Sequence, residues 1–164
     1  MRALGFFAVA AAVALSGCSA GESTTAAKTE VAKFRQQADA GQFADIYKAS
    51  GPDIRNSVTE AQFVQMVGGF HGAIGKFKSA PEPGWAYNTD NDGQRVTLDY
   101  DSTFERGKAK EQFIYRITDG KAVLAGYDYK ADGAIAPAPA GTAESANQAE
   151  ATDSNEGEGE GEGT

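Results

Sequence analysis

Thr59-Glu60-Ala61-Gln62-Phe63-Val64-Gln65-Met66-Val67-Gly68-Gly69-Phe70-His71-Gly72-Ala73-Ile74-Gly75 runs directly into Lys76-Phe77-Lys78-Ser79-Ala80, and the change of rhythm between the two decides the fold class. The first run opens on a capping box, with Thr59 as N-cap and Gln62 three residues on. Val58 and Phe63 stand where a hydrophobic staple would close over it. Phe63, Val67, Phe70 and Ile74 fall on one helical face, flanked by Met66, and Gly75 suits the position after the last turn. Beyond Gly75 the apolar period is alternating, which is the mark of strands.

Reading outward, Lys76 to Ala80 and Trp85 to Thr89 are predicted as short strands around Pro81-Glu82-Pro83-Gly84. Asp92-Gly93 predicts a hairpin into a long strand in which Val96, Leu98, Tyr100, Ser102 and Phe104 share a face. Arg106-Gly107 turns the chain back, and Phe113, Tyr115 and Ile117 alternate with Gln112, Ile114 and Arg116. Asp119-Gly120 makes a third turn, into a last strand carrying Val123, Ala125, Tyr127 and Tyr129. Upstream, Val31, Phe34 and Ala38 predict a helix from Thr29-Glu30 to Ala40, ended by Gly41. Phe43 to Ala49 predicts a second, and Ser50-Gly51-Pro52-Asp53 reads as a turn. Helices first and an antiparallel meander after give an α+β domain over 30–132, with N-terminal helices packed on a curved sheet.

The two ends read differently. Met1-Arg2 is a positive start and Ala3 to Leu15 an apolar run, the pattern of a signal peptide over 1–17. That run would rise roughly 20 Å as a helix, short of the ~30 Å hydrocarbon core, so it targets rather than spans. Leu15-Ser16-Gly17-Cys18 resembles the bacterial lipobox, and Cys18 is the only cysteine. The resemblance implies cleavage between Gly17 and Cys18, lipid on the Cys18 sulfur and anchorage in the cell envelope by several acyl chains, because one chain holds only marginally. Ser19 after it implies the periplasmic face of the outer membrane in a Gram-negative host. Residues 18–29, small and polar, read as the lipidated N-terminus and its tether. From 133 to 164 the chain is Ala/Pro-rich and ends in Glu-Gly repeats, a composition predicting a disordered tail.

Charge follows the same division. The chain carries a net −8, and the seven acidic residues after Gly133 are matched by no basic one. The domain is left with fifteen acidic and thirteen basic residues, so it has no electrostatic footprint for nucleic acid.

Several phrases resemble a bacterial domain-of-unknown-function 4019-like family, related to nuclear transport factor 2-like and cystatin-like α+β folds. They are Asp39-Ala40-Gly41-Gln42-Phe43, Thr59-Glu60-Ala61-Gln62-Phe63, Ile74-Gly75-Lys76, Leu98-Asp99-Tyr100, Lys110-Glu111-Gln112-Phe113 and Ala125-Gly126-Tyr127. The resemblance implies a cone in which helices lie against a curved sheet, and it supplies no catalytic motif.

Candidate sites are few. His71 is the only histidine and borders the buried helical stripe, so a cavity acid–base pair with Asp99 or Asp101 is one reading and a boundary histidine the other. Asn88-Thr89-Asp90-Asn91-Asp92-Gly93 with Asp99 nearly has calcium-loop spacing, yet hairpin-turn chemistry explains the same residues, so no metal is expected. Phe70, His71, Trp85, Tyr100, Phe113, Tyr115 and Tyr127 are the expected wall of any pocket. No catalytic set, phosphate loop or zinc spacing is present, and no cofactor is expected. The expectation is a lipid-anchored periplasmic domain that binds a small apolar ligand or an envelope protein without catalysis. A cavity enzyme using His71 with Asp99 or Asp101, and a purely structural or interaction module, are the alternatives.

Overall fold

Four helices precede five strands in a computed structural model that describes residues 20–91 and 93–133: α1 (Ala20–Asp39), α2 (Phe43–Ala49), α3 (Pro52–Ser57), α4 (Glu60–Ile74), β1 (Phe77–Ser79), β2 (Gly84–Asp90), β3 (Gly93–Phe104), β4 (Lys108–Thr118) and β5 (Lys121–Ala131). The expected signal peptide 1–17, Cys18 with its lipid, and the tail from 134 onward lie outside the described residues. Among the described residues no helix is long and apolar enough to cross a membrane.

The fold is α+β, as the change of rhythm at Gly75 predicts. Strands β2 to β5 form an antiparallel meander, and β1 pairs with the end of β3 on the edge that β2 also occupies. The predicted capping box is complete: Thr59 accepts from the Gln62 backbone while the Gln62 side chain accepts from the Thr59 backbone. A cap contributes about 1 kcal/mol. Phe63 and Val67, both fully buried, contribute roughly 1.5–3 kcal/mol each, so packing decides where α4 lies. Gly75 ends it at φ 84°, where a Cβ would sit 2.8 Å from that of Glu105.

Three expectations are corrected. Helix α1 begins at Ala20, so residues 20–29, expected as a tether, form its first half, with Ser23, Thr24 and Ala27 buried. The polar run suits a helix because the hydroxyls of Thr24, Thr25 and Thr29 each donate to the carbonyl four residues back. Pro52, read as part of a turn, instead starts α3 at its first position, where a missing N–H costs nothing. In β5 a bulge opposite Ile114 and Tyr115 shifts the register. Tyr127 and Tyr129 keep the expected face, but before the bulge Leu124 turns inward and not Val123 and Ala125.

The core lies between the helices and one sheet face. Ala27, Val31, Phe34 and Ala38 of α1 and Phe63 and Val67 of α4 meet Val96, Leu98, Tyr100, Phe113, Tyr115 and Tyr127 of the sheet. A smaller cluster of Phe70, Ile74, Phe104 and Ala109 closes one end.

Candidate functional site

Among the buried polar side chains, Glu111 and His71 are served in opposite ways. Glu111 has the same strand parity as Phe113 and Tyr115, so β4 carries it inward, and it is 1% exposed. Arg35, on the buried side of α1, reaches it with Nη2 at 2.8 Å and donates also to Ser102 at 2.8 Å. Ser102 donates to the same carboxylate oxygen, and Tyr127 donates to the other at 2.9 Å. The guanidinium carbon stands 3.9 Å from the ring centre of Phe77 and 4.3 Å from that of Tyr100. Burial first, then the Glu111 carboxylate, raises the Tyr127 hydroxyl well above its ordinary value, so it stays a proton donor. The network ties α1 to the middle of the sheet and has both carboxylate oxygens occupied.

His71 is the counterexample. It is 6% exposed and ringed by Phe34, Phe43, Phe70 and Phe104 at centroid distances of 6.2, 5.9, 5.2 and 5.8 Å. Neither ring nitrogen has a hydrogen-bond partner. Burial lowers its pKa, against the pull of Glu111 and Asp39 and with the help of Arg35, so the imidazole is neutral at pH 7. Native proteins seldom leave buried polar groups unpartnered, so this one needs a reason.

His71 borders a cleft of about 290 Å³ between the end of α1, the start of α2, α4 and the β3–β4 turn. Its inner wall is Ala38, Phe43, Gly68 and Gly72, and its rim carries Asp39, Lys76, Glu105 and Arg106. The cleft exists because α4 turns glycines towards it. A Cβ on Gly72 would meet nothing within 4 Å, while one on Gly68 would press on the Phe43 ring at 3.1 Å. The rim is braced. Arg106 donates to the carbonyls of Gly72 and, at 2.6 Å, Ala73 at the end of α4, where a cation also suits the helix dipole. Glu105 accepts from the Lys76 backbone at 3.1 Å, and Asp39 from the Phe77 backbone at 3.0 Å. Both nitrogens of His71 are enclosed, so what the residue shows to the cleft is not a nitrogen.

The structure does not bring His71 together with Asp99 or Asp101. Those aspartates have the opposite strand parity and project from the far side of the sheet, accepting from Gln112 at 2.8 Å and Lys110 at 2.6 Å. The calcium-like spacing is opened by the hairpin: Asn88 pairs with Arg95 near the turn, whereas Asp99 lies opposite Gly84 at the far end of β2. No acidic or histidine cluster able to hold a metal occurs among the described residues.

The residues expected as a pocket wall do not line one common cleft. Tyr100, Tyr115 and Tyr127 pack around Phe113, whose ring lies 4.9 to 6.5 Å from theirs, and Phe34 closes on it at 5.1 Å. Phe70 stacks on Tyr129 at 3.9 Å. These rings pack together in the core, Tyr100, Tyr115 and Tyr127 each also border a different surface cleft apart from the one beside His71, and Trp85 is 54% exposed on the outermost strand. Of the expected set only His71 reaches the cleft. Gly17 and Cys18 lie outside the described residues. The Arg35–Glu111 network and the glycine-lined cleft were missed, although the parity of Glu111 with Phe113 and the spacing of Gly68, Gly72 and Gly75 were both visible signals.

No known protein family and no curated protein sequence matches this chain.

Proposed function

We propose that this is a lipid-anchored domain of the cell envelope, held at the periplasmic face of the outer membrane by acyl chains on Cys18, that binds a small apolar ligand without transforming it. The cleft beside His71 carries the reading. Helix α4 leaves Gly72 bare over open space, and the inner surface so exposed is Phe43, Ala38 and the non-nitrogen part of His71. A helix interior loses about 1 kcal/mol at a glycine relative to alanine, so a cleft made by glycines is kept at the expense of stability. A mixed-charge rim over an apolar floor suits a ligand with an apolar body and a small polar end.

Binding without catalysis fits the state of two buried titratable groups, Glu111 and His71. Glu111 already accepts from three side chains, and the His71 nitrogens are walled off, so neither is placed to exchange a proton with a ligand. The test uses 1-anilinonaphthalene-8-sulfonate as an apolar fluorescent probe. The full-length protein is expected to bind it at one site, and Gly72→Leu, which fills the cleft, to abolish binding. Gly69→Leu on the same helix, exposed and outside the cleft, keeps it. Equal binding by both variants refutes the cleft as the site.

A further inference from the structure

Strand β2 pairs with β3 through all seven of its residues with no bulge, and its other edge has no strand beside it among the described residues. Six of the seven residues are exposed, and Trp85 is the most exposed large apolar side chain described. The opposite sheet edge, β5, is managed differently. It carries the bulge, Lys121, Asp128 and Lys130, and Leu124 gives its carbonyl to the Gly51 N–H at 2.7 Å. Edge strands of soluble domains are normally blunted by such devices, because a bare row of backbone donors and acceptors invites another strand. Within β2 there is no lysine, no proline and no bulge, and its one charge, Asp90, sits at the end beside Arg95.

We propose that β2 pairs antiparallel with β2 of a second copy of this chain, joining two five-stranded sheets across a two-fold axis at Tyr87. The strand is complementary to itself in this register. Pro83 precedes it and the hairpin turn follows it, so full overlap places Gly84 opposite Asp90, Trp85 opposite Thr89, Ala86 opposite Asn88 and Tyr87 opposite itself. No like charges face each other, which an isologous contact requires. Trp85, Tyr87 and Thr89 share the parity of Leu98 and Val96 and so lie on the helix-covered face. Diagonal neighbours in such a pair stand ~7–8 Å apart, within reach of aromatic side chains. Trp85 therefore meets the partner's Tyr87, and the two aromatic pairs continue the core across the junction.

Ala86 and Asn88 point to the other face and are exposed, so they report the contact without touching either core. The full-length chain in detergent is expected to sediment as a dimer. Ala86→Lys/Asn88→Lys places lysines opposite lysines twice and should weaken association roughly tenfold, as should Ala86→Glu/Asn88→Glu. Mixing the two variants should restore the dimer, because lysines then face glutamates across the junction. A monomeric wild type, even one that captures an unrelated extended peptide, overturns the proposal. So does a dimer that both double variants leave unchanged, with circular dichroism confirming that each variant is folded.

Discussion

Glu111 and His71 are both buried, lie on adjacent layers of one core, and differ completely in company. The carboxylate accepts hydrogen bonds from Arg35, Ser102 and Tyr127, while both imidazole nitrogens are unpartnered inside a box of phenylalanines. The first arrangement is what a structural polar group needs in order to sit in a core. The second is tolerated at a cost, and it occurs beside a cleft whose wall includes Gly41, Gly68, Gly72 and Gly75. Both groups border a surface cleft, and what distinguishes them is that Glu111 accepts from three side chains while the His71 nitrogens have no partner.

The sharpest way to break the comparison is Glu111→Ala, which leaves the Arg35 guanidinium buried without its counter-charge. A loss of about 3–5 kcal/mol is expected in urea unfolding, much of the stability of a domain this size. The double variant Arg35→Met/Glu111→Leu should recover only part of that loss, since it removes the unpaired charge but leaves the buried Ser102 and Tyr127 hydroxyls without the acceptor that Glu111 supplies.

His71→Leu should act in the opposite direction. Removing an unpartnered buried N–H raises stability by about 1 kcal/mol at pH 7, and it should flatten the acid response. The unfolded imidazole takes a proton near 6.5 and the folded one resists it, because burial lowers its pKa. The stability tied to this group is thus complete above pH 6.5 and drains away as pH falls below it. His71 is the only histidine, so a wild-type melting temperature that drops between pH 6.5 and 5 while the variant's holds level identifies the group.

Smaller again is Gly69→Ala, whose added Cβ meets nothing within 4 Å. A gain of about 1 kcal/mol in helix propensity is expected, with probe binding kept. Least of all is Lys110→Ala on the outer sheet face. Its partner Asp101 is as exposed as Lys110 itself, and the unfolding midpoint should not move.

Much of this frame was legible in the chain. The capping box at Thr59 and the alternation through Val96 to Phe104 depend on local spacing, and both stand as read. What escaped depends on contacts distant in sequence. Ala20 to Lys28 has no strong apolar stripe, and only burial of Ser23, Thr24 and Ala27 shows that the helix starts there. The β5 bulge exchanges Val123 for Leu124 through pairing with β4, which no pattern within β5 reveals. His71, read at the edge of the stripe, is as buried as Phe70 within it. Its lack of an acidic partner follows from strand parity, which sends Asp99 and Asp101 through to the other face.

The most direct measurement is the proton NMR signal of the His71 ring, unambiguous in a chain with one histidine. It is expected to stay in the neutral position as pH is lowered through 6.5, because burial lowers the pKa, and to shift when 1-anilinonaphthalene-8-sulfonate is added at pH 7. A ring that titrates at the ordinary value and ignores the probe would show His71 to be open to water and unrelated to the cleft, contradicting the account.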